Sequence, residues 1–334
     1  MPLRNTEQII IRQALTNIAI KYKNQQYVAD ELFPIVDGVN KQTKVLKFLK
    51  APWFRDEAGV RAEGNPAPVA NLSVTTVDID PVNYAIGTKI TDEMYEQSRV
   101  AGNLDIQCLK TAMEFMGDKL DLKKERRAST ILHSTNWSAV GAGGEDAAGC
   151  WGHSTAASDT FLADMRTGHD TIFSNTGKKA NSLFLSYHAY SKLRIGPALL
   201  AYLYPQGWTP GMFVTTDALK ILADVDRVIV GGASYTATEE TVADDSPTMT
   251  QIWGTSGAET KGVGFLYYRP DAPSRENPSA GYQYRLKQDN GLARQGTQWR
   301  EAANHRDAFD MEEDTDIVAT GTDLGYMWKD TATT

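Results

Sequence analysis

KQTKVLKFLKAPWFRDEAGVRAEGNPAPVANLSVTTVDIDPVNYAIGTKI, residues 41–90, is the stretch on which the fold turns. Its flanks, 41–54 and 72–90, are rich in β-branched and aromatic residues and read as strands. The middle, RDEAGVRAEGNPAPVAN (55–71), carries two prolines, two glycines and charges of both signs. It is too polar for a core and too long for a tight hairpin turn. The pattern predicts a long two-stranded loop projecting from the body. A lone hairpin is marginal in water, so this one is expected to rest on another chain.

The neighbouring segments repeat that theme. Residues 6–23 read as an amphipathic helix, with capping-box spacing at Asn5 and Gln8 and apolar Ile11, Leu15, Ile18 and Tyr22 at helical intervals. So short a helix makes no core alone and must lie on something else. YVADELFPIV (27–36) supplies further apolar anchors and reads as extended. Residues 103–133 then give the strongest helical periodicity, through Ile106, Leu109, Met113, Met116 and Leu120, with Asn103 as the cap. Such a helix is a rod of roughly 45 Å.

The last third of that rod holds DLKKERRAST (121–130), with Lys123, Lys124, Arg126 and Arg127 close together. At about 3.6 residues per turn these charges encircle the helix, whereas a groove-binding helix gathers them on one face. They also complement the dipole at a helix C-terminus. The reading is a solvated, salt-bridged helix end, with a phosphate contact as the alternative.

Beyond a Gly/Ala/Ser-rich loop at 138–158 the pattern alternates between helices and strands. Asp159 caps a helix through about Ser174, NSLFLSY (181–187) reads as a buried strand, and HAYSKLR and TTDALKILADV read as short helices. DRVIVGGASY, GVGFLYYRP, GYQYRLKQ and the tail DTDIVATGTDLGYMWKD read as strands, so this region is an α/β or α+β unit.

Composition bounds the function. The 334 residues are 41% hydrophobic and 23% charged, with a formal charge of −8, so any contact with a polyanion must be local. No apolar run approaches the roughly 20 residues of a membrane span, and no secretory signal is expected. Cys108 and Cys150 form no paired motif, which fits a reducing compartment. NTGKK (175–179) lacks the first glycine and the Ser/Thr of a phosphate loop, since position 172 is Ile172. CWGH offers only Cys150 and His153, half of a structural zinc site. His133, His169, His188 and His305 stand singly, and no nucleophile motif occurs. No catalytic, cofactor-binding or metal site is expected. DMEEDTD (310–316) reads as a solvated acidic turn or a partner for basic residues of a neighbouring chain.

The order of these parts is distinctive, and YVADELFPIV, FRDEAGVRAEGNPAP, DKLDLKKERRAST, DVDRVIVGGASY and DLGYMWKD look, in that order, like recurrent segments of one family. Together they resemble the major capsid proteins of tailed bacteriophages over residues 27–330. The resemblance implies the α+β fold shared by tailed-phage and herpesvirus shells. Its parts would be an N-terminal arm (1–40), an extended loop (41–86) and a peripheral domain (87–158) with spine helix 103–133. An axial domain (159–300) and C-terminal strands returning to the peripheral domain (301–334) would complete it.

The implied function is non-enzymatic: self-assembly, in pentamers and hexamers, into an icosahedral shell enclosing double-stranded DNA. It places the chain in the virion, after assembly in the host cytoplasm. Portal protein and separate scaffold or decoration proteins are the implied partners, with DNA contacted weakly through phosphates and no membrane. Because the chain begins almost at once with the arm, any scaffold is expected to be a separate protein. The alternatives are a nanocompartment shell of the same fold, enclosing enzyme cargo, and an α/β enzyme with a hairpin lid.

Charge supplies candidate contact residues between subunits. Residues 301–334 hold nine acidic side chains against Arg306 and Lys329, a segment charge of −7. Residues 41–61 hold six basic against two acidic, or +4. The candidates are Lys44, Lys47, Arg55 and Arg61 on the loop, Lys123, Lys124, Arg126 and Arg127 on the spine, and Asp310, Glu312, Glu313 and Asp314 near the C-terminus.

Overall fold

The computed structural model describes residues 24, 27–41, 43–61, 63–67, 69–100, 108–207, 209, 211–237, 247–254, 261–274, 277–286 and 294–332. The expected helix at 6–23 lies outside them, as do Asn103 and Ile106. A helical turn (Ala29–Leu32) leads into β1 (Ile35–Val39). The antiparallel hairpin follows, with β2 (Thr43–Phe48) opposite β3 (Val74–Ile79) and a short helix, Lys50–Phe54, on its outgoing limb. Then come β4 (Val82–Thr91), a helix Asp92–Val100 and the long helix Cys108–Ser134. β5 (Glu145–Asp146), helix Phe161–Thr176, β6 (Ser182–Ser186), and helices Tyr187–Arg194, Pro197–Leu203 and Thr216–Leu222 continue the chain. It ends with β7 (Arg227–Gly231), β8 (Ser234–Thr236), β9 (Met249–Gln251), β10 (Gly264–Tyr267), β11 (Tyr282–Leu286), β12 (Gln295–Glu301), β13 (Arg306–Val318) and β14 (Gly325–Lys329).

Two five-stranded sheets organise these elements. In the first, β13 is the central strand: β4 runs antiparallel along one edge, β12 and then β11 along the other, and β1 lies parallel outside β11. The second sheet has the order β5-β14-β10-β6-β7. DMEEDTD is therefore not a turn, because it lies inside β13. Period-two alternation sends Phe309, Met311, Glu313 and Thr315 to one face and Asp310, Glu312 and Asp314 to the other.

The long helix packs on the first of those faces. Met116, Ile90 and Phe309 form a small core there, joined by Met113 and Met311. Farther along, Ala128 and Leu132 of the helix enter the main core with Phe33, Trp253, Phe265 and Met327. A second core fills the other side of the second sheet, around Trp151, Phe161, Leu185, Leu199 and Trp328. Each buried indole removes roughly 150–250 Å² from water, a gross stabilisation of roughly 4–6 kcal/mol before conformational entropy. Gly264 shows how tightly this is built, since a Cβ there would lie 2.3 Å from Cη2 of Trp151.

Local signals behaved as physics requires. Asp159 Oδ1 accepts the Phe161 N–H at 3.0 Å, at the start of the expected helix. That helix runs to Thr176 and ends on Gly177, whose φ of 67° is the left-handed C-cap conformation. Ser186 and Thr215 cap the next helices through Ala189 and Ala218. The chain does not build its two sheets in consecutive blocks. β11 joins the first sheet from within 159–300, while β5 and β14 join the second from within 87–158 and 301–334.

Candidate assembly surfaces

The basic cluster on the long helix divides by direction. Lys124 is buried, and its Nζ lies 3.0 Å from Asp30 and 3.4 Å from Asp121. Arg127 donates to Thr315 Oγ1 and Thr315 O, both at 2.9 Å, and its guanidinium lies 4.0 Å over the Tyr84 ring. Arg126 is exposed and stacks on Tyr235 at 4.1 Å, and Lys123 is exposed. The charges encircle the rod as expected, but Lys124 and Arg127 are engaged inside the subunit rather than on its surface.

The residue that sequence reasoning passed over stands between them. Glu125 is fully buried and accepts the backbone N–H of Val28 (3.0 and 3.1 Å), that of Ala29 (2.8 Å) and the indole N–H of Trp253 (2.7 Å). Burial pushes its carboxyl above the ordinary 4.5, with Asp30 adding to the rise, while the three donors pull it back. Its signal was a lone acid inside a basic run at a buried helix position. Beside it, Arg294 bridges Asp121 and Glu313. Burial alone would raise Asp121, but the Arg294 hydrogen bond and charge, with Lys124, hold it below 3.8. The root of the N-terminal segment, residues 27–33, is thus tied to the long helix by an ion-pair chain and a buried carboxylate.

The acidic run is equally divided. Glu313 is buried against Arg294, with Nε–Oε2 at 2.9 Å. On the opposite face Glu312 accepts from Asn83 at 3.1 Å, and Asp314 is buried with Oδ1 lacking a hydrogen-bond partner. Asp310 leans over Gly87, where a Cβ would meet its Oδ1 at 2.6 Å.

On the hairpin, Lys44 faces Asp78 across the strands at 3.6 Å, Arg55 pairs with Glu57 at 3.6 Å, and Arg61 donates to Asn65 O at 2.6 Å. Lys47 and Lys50 reach the stretch after β13, at Thr320 O (2.6 Å) and Asp323 (2.9 Å). Within the subunit these two cations therefore meet the C-terminal segment beyond DMEEDTD. The polar stretch carries exposed apolar side chains, with Trp53, Phe54, Val60, Val69 and Leu72 all more than half exposed.

NTGKK and CWGH take defined places in the fold. Gly177 and Lys178 of NTGKK sit at a helix C-terminus, the wrong end for a phosphate. His153 Nδ1 accepts the Thr155 N–H at 3.0 Å, and Trp151 is core. A cleft of about 700 Å³ lies between Lys178, Lys179, Asn181, Lys220, Asp224 and Tyr268. Its lysines Lys178, Lys179 and Lys220 face Tyr268, Asp224 and Asp217 in turn. Among the described residues no group of three His, Cys, Asp or Glu is placed to hold a metal, and no helix is long and apolar enough to cross a membrane.

Comparison with known proteins agrees with this architecture. No family model matches the chain. The major capsid protein of Burkholderia phage BcepMu is 25% identical over 250 residues, which are 73% of this chain and 74% of that one. Over about three quarters of its length the chain is thus similar to a phage major capsid protein. A crystal structure of a phage-related protein from Bordetella bronchiseptica RB50 superposes with a TM-score of 0.62 at 21% identity, covering 93% of this chain and 94% of that one. The capsid structure of cyanophage P-SCSP1u gives 0.59 at 9% identity over 95% and 92%. With these structures the chain shares its mixed helix and sheet fold where sequence is not shared: topology persists while side chains turn over.

Proposed function

We propose that this capsid protein assembles with itself, in pentamers and hexamers, into the closed icosahedral shell of a tailed phage and encloses its double-stranded DNA. The supporting observation is the hairpin: a 39-residue excursion from β2 to the turn before β4, with Trp53 and Phe54 about two-thirds exposed and Val60 fully so. An apolar surface on so slender a projection is costly in water and is stabilised when neighbouring copies overlap. No catalysis is assigned. Portal, scaffold or decoration proteins are the further partners, DNA contacts are weak and made through phosphates, and the site of action is the virion after assembly in the host cytoplasm.

The 87–158 region with its long helix would be the peripheral domain, and 159–300 the bulk of the axial domain around the symmetry axes. Of the candidate contacts, Lys123, Lys44, Arg55 and Arg61 are exposed enough to meet a second subunit. Electron microscopy and native mass measurement of the purified chain test the reading. Closed particles are expected, and a monodisperse folded monomer at every concentration overturns it. Nucleic acid inside particles from infected cells separates a genome shell from a nanocompartment, which would retain a protein cargo.

A further inference from the structure

The first sheet ends on β12, and among the described residues no strand pairs with its outer edge. The edges of soluble sheets are ordinarily kept short or blunted by lysine, proline or a bulge, because their free N–H and C=O groups template pairing with another chain. β12 has none of these guards. It runs for seven residues as QGTQWRE, Gln295–Glu301, and its register against β13 is unbroken along that length. Its one cation, Arg300, is turned back onto Asp92 and Asp307 at 2.8 and 3.1 Å, clear of the edge. Residues 296–300 are exposed, with Trp299 at 42%, and the long helix lies mainly over β13 and β4.

The residues of the strand are complementary to themselves. A two-fold axis perpendicular to an antiparallel pair sets one residue opposite its own copy and keeps the faces of the two sheets aligned. With the axis at Gln298 the whole strand is paired: Gln298 meets Gln298 of the second copy, Thr297 meets Trp299, Gly296 meets Arg300 and Gln295 meets Glu301. No charge falls opposite a like charge. Thr297 beside Trp299 is a favourable β-branched and aromatic pair, and the axis repeats it. Moving the axis to Thr297 or Trp299 shortens the ladder.

We propose that β12 is a self-pairing edge: across a two-fold axis two subunits join β12 to β12, antiparallel and centred on Gln298, so that their first sheets become one. The proposal rests on the shell-subunit reading, since a closed icosahedral shell contains two-fold axes, and adds which strand lies on them. So short a ladder is weak alone and forms where other contacts already bring the copies together.

The test uses the full chain with Cys108→Ser and Cys150→Ser, assembled and then treated with a mild thiol oxidant. Gln298→Cys sets a thiol opposite its own copy, with Cβ atoms about 4.5–5.5 Å apart, and is expected to give covalent dimers and nothing longer on a denaturing gel. Gln295→Cys, roughly 20 Å from its copy in this register, should stay monomeric. Closed particles in which Gln295→Cys crosslinks as well as Gln298→Cys overturn the strand pairing and leave the shell reading standing. Failure of the wild-type chain to form closed particles overturns both. If neither thiol reacts, charge decides. Gln298→Lys and Gln298→Glu each put like charges across the axis, and each alone should assemble up to about fivefold more slowly while keeping the wild-type thermal midpoint. Mixed, they should assemble faster than either alone, because only then do opposite charges meet. A mixture no faster than its components refutes the pairing.

Discussion

Glu125→Ala removes the acceptor shared by Val28, Ala29 and Trp253 and leaves three N–H donors without a partner. Each buried unsatisfied donor costs about 1–3 kcal/mol, but the variant also relieves the desolvation of a buried carboxylate. The balance is a loss of about 3–5 kcal/mol, a large fraction of an ordinary domain's stability. Glu125→Gln keeps a carbonyl oxygen with two lone pairs and should cost about 1–2 kcal/mol, since its amide must face one of the donors. Urea unfolding of the unassembled subunit, followed by tryptophan fluorescence, measures both. The pH dependence sharpens the test. The folded carboxyl titrates above 4.5, so the stability linked to it is fully present below that pH and is lost as pH rises through the folded value. Asp121 works in the opposite sense, with its contribution present above 3.8 and lost only as pH falls through a lower folded value. Glu125→Gln should flatten the first dependence and spare the second. An alanine variant within about 0.5 kcal/mol of wild type, a shift ordinary for an uninvolved surface site, would refute the assignment of this carboxylate as the anchor of residues 27–33.

Other substitutions test separate parts of the structure. Arg127→Lys gives up two hydrogen bonds to Thr315 and the stack on Tyr84 and should cost about 1–3 kcal/mol by the same unfolding assay, whereas Lys123→Gln should change stability by less than about 0.5. Gly264→Ala drives a methyl into the Trp151 ring and should destabilise by about 1–3 kcal/mol or more, seen as a lowered thermal midpoint. Gly177→Ala must adopt a φ of 67° and should cost about 1 kcal/mol, with Gly177→Asn tolerated better.

Several elements were legible because their signals are local. The hairpin, the long helix, the cap at Asp159 and the buried strand NSLFLSY are written in periodicity and turn chemistry, and ordered recurrent segments pointed to the family. DMEEDTD was misread because five carboxylates in seven residues look solvated in isolation. Its real environment is set by distant chain: Arg294 on Glu313, Arg127 on Thr315 and Asn83 on Glu312 make a charged strand tolerable in mid-sheet. Glu125 was hidden for the same reason, since its donors come from Val28, Ala29 and Trp253, far away in sequence. The basic residues drew attention by their number, while the acid among them has the more demanding position. Strand exchange between the sheets was likewise invisible, because adjacency in sequence carries no information about which edge a strand joins.

The placement of β13 and β14 gives the subunit a clock. β13 is the central strand of one sheet, and β14 lies between β5 and β10 in the other, yet both come from the last thirty residues or so of the 334. Neither sheet can close while those residues are still being translated. β4, β5, β10, β11 and β12 each wait for a partner translated after them, at about 5–20 residues per second. A nascent chain thus holds both sheets open until these strands are made, and one cut short before them leaves β4, β5, β10, β11 and β12 without their pairing edge on that side.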